Sequence, residues 1–519
     1  MMKKTMKQYS FASQLKSLAV VFGIALTFVS CAKEDVAQNP TNTEGDNDKN
    51  LTTFVAGDEA KTRTSLDYNS SDFSWEAGDY IYVKDDNGVL RKSTNAPTQK
   101  VASFRYRVPG KFGASANYKV YYLGKNSNGS QVTISTNQTQ TAPDNTEHFG
   151  TAGDYGTATA TGAVGGSIFS FQLEHHPAYL VFQPYTSNTI LQSCKLTKVE
   201  VSSDNDIAET YTVNPTTGAL VASTGTGSNK IVLTTYSFPL TNNSPSVTTN
   251  GAYMVIKPGT HTLKVRYWVE DVATNVKGTI TKIYPSKAYA SNTYYDMTAS
   301  LDVKNYDGDH YYMWDAQQQY WYGYEWTKNL AAGVGQPTLL SQPAGNYAQS
   351  SGDSRYYHEN SVSGRFDATQ SCATLPNVNE LTWYCQYGDP RWDADELWTT
   401  MGHLYKGGMW IKKKSVLQAE SHYNSNTAVD GIDWRTTIKS QTWGVSQTLP
   451  SAADAGKYFY LPGLGQYYYG MLIYVGFGHY WSSSASPVVG NAYYMTFYGG
   501  SVSVGDGGRN NGFRVGGFE

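Results

Sequence analysis

The sequence predicts two folded parts, a mainly β region over residues 51–304 and an α+β domain over residues 330–519. Through the first part, short runs alternate apolar and polar residues and are separated by turn residues, which is typical of successive β-strands. The second part opens with two segments that begin after helix-capping residues, 377–384 and 394–401. It closes with a strand, a Gly-Gly turn and a second strand over 492–504, which predicts a hairpin.

The first 30 residues predict a signal peptide. Lysines precede an uncharged apolar run over 18–29, which is shorter than the about 20 residues of a membrane-spanning helix. The run ends in Phe28-Val29-Ser30-Cys31, which resembles a lipobox, and this resemblance implies that Cys31 is the lipidated first residue of the mature protein. An ordinary cleavage site with a coincidental cysteine is the alternative.

The residues after Cys31 predict surface display. Lys33-Glu34-Asp35 resembles the acidic export signal of surface lipoproteins in some Gram-negative anaerobes. Residues 31–50 are otherwise rich in Asn, Thr, Asp and Gln, so we expect a flexible tether. The resulting expectation is an outer-membrane lipoprotein on the cell surface, held in the outer membrane by its lipid anchor.

The β region of 51–304 predicts β-sandwich lobes. We expect two lobes, because about 250 residues exceed one common sandwich. Short phrases in it resemble fimbrillin-type pilins and accessory adhesins. The resemblance implies a fimbrillin-like fold, association with a pilus and other pilus subunits as partners. The phrases are Thr62-Arg63-Thr64, Phe73-x-Trp75-x-x-Gly78-Asp79, Phe171-x-Leu173-x-His175-His176-x-Ala178 and Tyr294-Tyr295-Asp296-Met297.

The C-terminal domain follows a connector, which we place at residues 305–329 where Tyr, Trp, Asp and Gln become frequent. Four phrases of the domain resemble C-type-lectin-like domains, and the resemblance implies two helices packed on a small sheet with long loops. They are Ala373-Thr374-Leu375-Pro376, Tyr480-Trp481-Ser482-Ser483-Ser484, Asn491-Ala492-Tyr493 and Arg509-Asn510-Asn511-Gly512-Phe513-Arg514-Val515.

Two groups of relatives share this pattern, a bacterial major paralogous domain family of surface proteins and the variable proteins diversified by retroelements. In the second group adenine-directed mutagenesis rewrites asparagine codons and randomises a ligand surface, while the scaffold stays fixed. Relatives tend to carry an asparagine run where this chain has Gly505-Asp506-Gly507-Gly508, and changed adenines in an Asn codon would give Asp or Gly. The resemblance therefore implies a variable segment at about 463–515. Within it, the residues Gly505-Asp506-Gly507-Gly508 themselves predict a loop after the second hairpin strand.

The composition of that segment predicts a binding surface. Tyrosines with small spacers resemble an antibody paratope, because each supplies contact area and a polar tip at low entropic cost. A tyrosine-rich sheet without any partner is the alternative. We expect Tyr474, Phe477, His479, Tyr498 and Asp506 to be exposed, and Trp481 and Phe513 to be buried scaffold. The candidate ligand-binding residues are Tyr467, Tyr468, Tyr469, Tyr474, Phe477, His479, Tyr494, Tyr498, Ser503 and Asp506.

We predict no cofactor and no metal site. Neighbours in a strand point to opposite faces, so His175 and His176 do not readily share one ion. Cys372 and Cys385 could form a disulfide, or helix geometry could hold them apart, and Cys194 would remain a buried thiol.

Charge and motifs exclude several function classes. A net charge of -3 with 16% charged residues gives no polybasic face for nucleic acid. No P-loop, Rossmann glycines, HExxH or GxSxG with partners occurs, so we assign no catalytic residue. The lectin-like fold includes formylglycine-generating enzymes, but no cysteine follows Cys385, which argues against their chemistry.

The sequence thus predicts a surface adhesin or pilus-tip lipoprotein whose C-terminal domain binds a protein or glycan ligand. Two alternatives stay open. One is a structural pilin that carries the C-terminal domain as cargo. The other is a carbohydrate-active enzyme, since acidic residues are plentiful enough to supply a carboxylate pair.

Overall fold

The computed structural model describes residues 8–10, 51–57, 65–66, 68, 73–125, 127–306, 308–328, 330, 332–335, 347, 367–488 and 490–518. Cys31, the tether and most of the expected signal peptide lie outside these residues. The chain forms two compact units. The first takes Met1–Ser187, Lys195–Tyr267 and Tyr284–Leu301, and the second takes Asn188–Cys194, Trp268–Ile283 and Asp302–Glu519. None of the helices in the described ranges is long and apolar enough to span a membrane.

Strands dominate the chain as far as residue 301, which confirms the prediction of a mainly β region. Only three short helices occur among the described residues there, α1 (Phe149–Ala152), α2 (Thr189–Gln192) and α3 (Val247–Asn250). The strands are β1 (Gln8–Ser10), β2 (Leu51–Ala56), β3 (Ser65–Leu66), β4 (Phe73–Ser74), β5 (Tyr82–Lys84), β6 (Leu90–Lys92), β7 (Phe104–Pro109), β8 (Asn117–Tyr122), β9 (Gln131–Thr133), β10 (Asn137–Gln140), β11 (Gly156–Gly162), β12 (Ile168–Phe171), β13 (Glu174–His175), β14 (Ala178–Tyr185), β15 (Lys195–Ser203), β16 (Thr210–Val213), β17 (Leu220–Ala222), β18 (Lys230–Pro239), β19 (Ala252–Ile256), β20 (Gly259–Asp271), β21 (Val276–Tyr289) and β22 (Thr293–Ser300).

Alternation along the strands builds the core of the first unit. One sheet runs in the order β6-β5-β8-β11-β12-β2-β7, and β7 buries every second residue, Phe104, Tyr106 and Val108. Aromatic rings fill the space behind this sheet, since Trp75 packs edge-on against Tyr106 with ring centroids 5.3 Å apart. A smaller sheet orders β1-β22-β14-β19, and β18, β15 and β20 lie side by side in another. The hydrophobic residues of the first unit are therefore buried between packed layers of β-sheet.

The two adjacent histidines of the first unit take different partners. His175 Nδ1 lies 3.0 Å from the buried carboxylate of Asp154, whereas His176 Nε2 lies 2.7 Å from the hydroxyl of Thr157. No group of three or more His, Cys, Asp or Glu side chains suited to a metal ion occurs within the part of the chain that the structure describes.

The second unit is a mixture of helix and strand. Besides α2 and the parts of β20 and β21 within Trp268–Ile283, it contains helices α4 (Val378–Tyr387) and α5 (Lys414–Ala419), with 3-10 turns at Gly308–His310, Glu325–Thr327 and Ala455–Lys457. Its strands are β23 (Tyr311–Tyr312), β24 (Arg391–Thr400), β25 (His403–Lys412), β26 (Gln441–Gly444), β27 (Tyr458–Pro462), β28 (Gln466–Tyr468), β29 (Met471–Ile473), β30 (Gly478–Ala485), β31 (Asn491–Tyr498), β32 (Ser501–Gly508) and β33 (Phe513–Arg514).

Helix α4 confirms the first predicted helix and its cap. Asn377 accepts a hydrogen bond from the backbone N–H of Glu380, and the Glu380 side chain accepts one from the N–H of Asn377, which forms a capping box. The helix buries Val378, Leu381 and Tyr384 in the main core of the unit. It packs against β30, β31 and β32, so it covers one face of the sheet that these three strands form.

The second predicted helix, 394–401, is wrong. These residues form most of strand β24, which pairs antiparallel with β25 over residues 391–393 and 397–400, with an irregularity between them. The expected cap residue, Asp393, instead accepts a hydrogen bond from the Trp410 indole at 3.1 Å. Five consecutive buried residues end the strand, because β24 is covered on both faces and shows no helical or alternating period there.

The C-terminal hairpin is confirmed, but it is longer than predicted. Strands β31 and β32 pair without interruption from Tyr498 opposite Ser501 to Asn491 opposite Gly508. The loop expected at Gly505-Asp506-Gly507-Gly508 is therefore wrong, since these residues continue β32. The sheet that contains the hairpin has the order β23-β33-β30-β31-β32-β26.

Residues expected in the connector at 305–329 contribute to the core of the second unit. Tyr311, Trp314 and Trp321 are almost fully buried, and Tyr311 lies in β23, which pairs with β33 at the end of the chain. The Trp314 indole donates to the Ser482 carbonyl at 2.9 Å. These residues are integral parts of the folded unit.

The three cysteines in the described part of the chain are free thiols. Cys194, Cys372 and Cys385 are all buried, so no disulfide joins Cys372 and Cys385. The Cys372 sulfur accepts a hydrogen bond from the backbone N–H of Asp315 at 3.3 Å, and burial raises the pKa of its thiol to about 12. Buried thiols of this kind are inert and fill the core.

Candidate ligand-binding surface

The sheet formed by β30, β31, β32 and β26 has two unlike faces. Tyr493, Met495 and Phe497 of β31 point to the inner face, which α4 covers, and all three are fully buried. Tyr494, Thr496 and Tyr498 alternate with them and point to the opposite side, which we call the outer face. Strand register places His479 and Ser503 on either side of Thr496, and Thr442 beyond Ser503.

A series of exposed rings covers one end of the outer face. The Tyr498 ring stacks on Phe477 with centroids 5.3 Å apart, and Phe477 lies 5.9 Å from Tyr474. Tyr474 is 58% exposed, Phe477 39% and Tyr498 46%. The prediction that these three side chains are exposed is confirmed.

Backbone hydrogen bonds fix the turn that carries two of these rings. The Phe477 N–H donates to the Tyr474 carbonyl at 2.9 Å, and the Phe477 carbonyl accepts from the Gly465 N–H at 2.8 Å. Gly476 has a φ of +101°, a conformation that glycine adopts without strain. The aromatic side chains are thus exposed while the backbone below them is held in place.

The hairpin of β28 and β29 presents two more tyrosines. Tyr468 and Tyr469 are 41% and 55% exposed, and their ring centroids are 4.3 Å apart. Tyr469 and Gly470 form the two-residue turn with φ values of 47° and 76°. Both values are positive, as in the turns that favour Asn-Gly. Tyr474 also has a positive φ, 56°. Left-handed backbone is unfavourable for a bulky side chain, so two of the exposed tyrosines sit in strained positions.

The prediction that Tyr467 binds ligand is wrong. It is fully buried, because side chains of β28 alternate and Tyr468 takes the exposed side. Its ring packs against Tyr320 at 5.0 Å and Trp321 at 4.9 Å, so it anchors the hairpin to the core. It cannot contact a ligand at the surface.

His479 is half-buried, less exposed than expected, at the middle of the outer face. Its ring lies 6.5 Å from Tyr474, 6.3 Å from Tyr494 and 5.3 Å from Phe513. Burial lowers the pKa of His479 to about 4, so the imidazole is neutral at pH 7. Its Nδ1 atom is buried without a hydrogen-bond partner among the described residues.

Three further predicted binding residues, Tyr494, Ser503 and Asp506, differ in whether a ligand could reach them. Tyr494 is half-buried over Phe513, at 4.8 Å, and Ser503 shares a hydrogen bond with Thr442 at 2.8 Å on the outer face. Asp506 is a correction, because it lies opposite Tyr493 in the register and is half-buried. Its carboxylate accepts hydrogen bonds from the Ser486 hydroxyl and the Asn491 amide, both at 2.9 Å. Asp506 therefore holds the turn between β30 and β31.

Trp481 and Phe513 are buried, which confirms their expected placement as scaffold. Their rings stack with centroids 4.2 Å apart, and the Trp481 indole donates to the Tyr312 carbonyl at 2.7 Å. With Trp314 they cover the other end of the outer face. The open part of this face is thus confined to the end around Tyr498 and the middle around His479.

Among the exposed aromatic residues that sequence reasoning missed, two lie close together in the chain. Trp326 is 71% exposed and Tyr322 is 49% exposed, and both lie in the segment that we had expected to be a connector. The high aromatic content of that segment was the sequence feature that could have indicated them.

The outer face is electrically neutral. In the described strands β26, β30, β31 and β32, the positions that alternate with the buried core side carry Thr, Ser, Gly, Ala, Tyr, His or Trp. With His479 neutral, aromatic area and hydroxyl groups are what this surface offers to a ligand.

Comparisons with known proteins find a set of similar solved structures. A candidate cell adhesion protein of Bacteroides ovatus is 16% identical with a TM-score of 0.31, over 49% of this chain and 93% of that chain. A fimbrial protein of the same species is 14% identical with a TM-score of 0.22, over 89% of this chain and 98% of that one. A fimbrial anchor protein of Porphyromonas gingivalis is 11% identical with a TM-score of 0.21, over 45% and 82%. A scan against protein-family models and a search of the curated proteins find no match.

Proposed function

We propose that this chain is a surface-displayed adhesin, at a pilus tip or as an accessory lipoprotein, that binds a protein or glycan ligand through the outer face of its second unit. The observation that carries the proposal is the connected set of exposed rings of Tyr474, Phe477 and Tyr498 on a hydrogen-bonded backbone. Aromatic patches on a soluble surface mark interaction sites, since exposing them to water is unfavourable.

The composition of the face supports a paratope-like role. Tyr and Phe supply rigid contact area, while Ser503, Thr496 and Thr442 supply hydroxyl groups. The sheet below them is held by α4 and the buried rings of Trp481 and Phe513.

A fixed scaffold with variable side chains is what a C-type-lectin-like domain diversified by a retroelement would need, and we include that origin in the proposal. A reverse transcriptase gene and a near-identical template repeat beside this gene would support it, and their absence would contradict it.

Surface display is the second part of the proposal. It rests on the signal peptide of residues 1–30, on Cys31 as the lipid anchor and on the tether of residues 31–50. Cys31→Ala should release the protein from the membrane fraction of the producing cells. A variant that stays membrane-bound would contradict lipidation at Cys31.

Ligand capture tests the binding function. The purified full chain is applied to immobilised mucin, epithelial cells and bacterial cells, and bound protein is quantified. A variant with Tyr474→Ser, Phe477→Ser and Tyr498→Ser should lose about 30-fold or more in affinity for any target that the natural sequence binds.

A matched control removes exposed aromatic area elsewhere. Tyr322→Ser with Trp326→Ser takes away two exposed rings outside the face. This control should bind as the natural sequence does. Equal binding by the triple variant, or an equal loss in the control, would mean that the outer face is not the binding surface.

A further inference from the structure

A second candidate site lies behind the turn that carries Tyr474 and Phe477. An open cavity of about 470 Å³ is bounded by Val475 and Gly476 of that turn, by Leu404, Tyr405 and Lys406 of β25, and by residues 275–277 at the tip of the hairpin between β20 and β21. All of these residues belong to the second unit. The volume is in the range of small-molecule sites.

The walls of the cavity are mostly apolar. Leu404 is almost buried, and the Tyr405 ring packs on Trp398 at 5.1 Å. A Cβ atom at Gly476 would meet no atom within 4 Å, so the space in front of this residue is open. A ligand that enters would cover hydrocarbon surface of Leu404, Val475 and Val276.

Two lysine residues line this cavity, one from each of two strands. Lys277 comes from β21 and Lys406 from β25, and none of the described residues that line the cavity is acidic. The lining therefore combines an apolar wall with two cations. That combination is complementary to a carboxylate attached to an apolar body.

We propose that this cavity binds a small amphipathic carboxylate, with the carboxylate between Lys277 and Lys406 and the apolar body against Leu404, Tyr405 and Val475. Six of the residues in its lining come from outside the turn of residues 474–477. The site is thus built chiefly by the scaffold, and it goes beyond the function proposed for the outer face.

Existing ion pairs leave both lysines available. Lys277 Nζ lies 2.9 Å from Glu270, and Lys406 Nζ lies 3.3 Å from Asp395. The lysine side chains in these pairs are 58% and 43% exposed. Exposed pairs of this kind contribute little to stability, so each ammonium can turn toward a ligand.

The test uses two fluorinated probes of equal shape that differ in charge, 4-fluorophenylacetate and 4-fluorophenylacetamide. Each is titrated into the full chain at low salt and followed by ¹⁹F NMR. The acid should bind saturably and about threefold to tenfold more tightly than the neutral amide, because only the acid presents a negative charge to the two lysines. The difference should shrink at 0.5 M salt, a condition of about 4 Å screening length.

Matched lysine variants assign the site. Lys277→Gln with Lys406→Gln should remove the preference for the acid. Lys328→Gln with Lys439→Gln should retain it, since those two lysines also form ion pairs in the second unit but lie outside the cavity lining.

Three results would overturn the proposal: equal binding of acid and amide, an equal loss in both lysine variants, or loss of acid binding on Phe477→Ala with retention in the cavity variant. The last result would place the probe on the outer face. Because the readout is a small probe, failure here leaves the ligand-capture test of the outer face unaffected.

Discussion

Tyr469 occupies a backbone position that suits asparagine better than tyrosine. Its φ of 47° is left-handed, and it precedes Gly470 in a two-residue hairpin turn where Asn-Gly is the favoured pair. We expect Tyr469→Asn to raise the free energy of unfolding by about 0.5–1 kcal/mol, since it relieves left-handed strain of about 1–2 kcal/mol at the loss of an exposed ring contact. Urea unfolding measures the change.

Tyr498 provides the matched control for that substitution. It is exposed to a similar degree but lies in the extended strand β31. Tyr498→Asn should lower stability by up to about 1 kcal/mol, because asparagine is a poor strand former. If both variants shift stability in the same direction, backbone conformation is not the cause.

His479 should make stability depend on pH. Burial lowers the pKa of the folded-state imidazole to about 4, whereas an unfolded histidine has a pKa of about 6.5. As pH falls from about 6.5 to about 4, the unfolded chain takes up a proton there and the folded chain does not, so stability is lost. Below about 4 the effect is complete.

A pair of unfolding curves isolates this histidine. Between pH 7 and pH 4, the natural sequence should lose about 1–3 kcal/mol more than His479→Phe. Burial also lowers the pKa of His148 to about 4, but that residue is present in both proteins and cancels in the difference. Equal losses in the two proteins would contradict a buried neutral His479.

Residue placement could be read from the sequence where one local rule decides it. Trp481, a large ring next to small serines, was correctly predicted to be buried, and glycine-flanked Phe477 to be exposed. The prediction for Tyr467 was wrong because a run of three consecutive tyrosines does not indicate which of them faces inward. The answer depends on Tyr320 and Trp321, which lie more than a hundred residues earlier in the chain. The prediction that Asp506 is exposed was wrong because its hydrogen-bond partners, Ser486 and Asn491, are determined by the register of β32, which the sequence does not reveal.

At the scale of elements, the capping box at the start of α4 carries a testable share of stability. Asn377→Ala removes the acceptor for the Glu380 N–H and the bond from the Asn377 amide to the Ser425 carbonyl. We expect a loss of about 1 kcal/mol in chemical unfolding. Asn377→Asp keeps the capping acceptor and should lose less than half as much, and the reverse order would argue against a capping role.

Elements could be predicted where the signal is local. Pro376 and Asn377 mark the start of α4, and Gly499-Gly500 marks the hairpin turn. Strand β24 was mistaken for a helix because Asp393 followed by Leu, Trp and Met resembles a capped helix. Its true conformation is imposed by pairing with β25 and by Thr279 and Thr281, whose hydroxyls donate to the Glu396 carboxylate at 3.0 and 2.7 Å. The contact of Glu396 with Thr279 and Thr281 joins segments more than a hundred residues apart in the sequence, which local patterns do not reveal.

For the whole molecule, the buried rings in the longest segment of the second unit, Asp302–Glu519, predict which C-terminal fragment folds; the unit's two other segments, Asn188–Cys194 and Trp268–Ile283, are absent from both fragments compared. A fragment of residues 302–519 retains Tyr311, Trp314 and Trp321 in its core. We expect it to show a cooperative thermal transition, whereas a fragment of residues 325–519 should not, because the loss of several buried rings costs about 3–5 kcal/mol each. Circular dichroism melts of both fragments measure this, and equal transitions would show that 305–324 is dispensable.

The central claim is that the exposed rings of the outer face serve binding and contribute little to folding. The most direct measurement is the free energy of unfolding of four single variants of the full chain in urea. Tyr474→Ala, Phe477→Ala and Tyr498→Ala should each stay within about 0.5 kcal/mol of the natural sequence, while Trp481→Ala should lose about 3–5 kcal/mol. If Tyr474→Ala, Phe477→Ala and Tyr498→Ala all lose as much as Trp481→Ala, the aromatic residues are core and the outer face is not a binding surface.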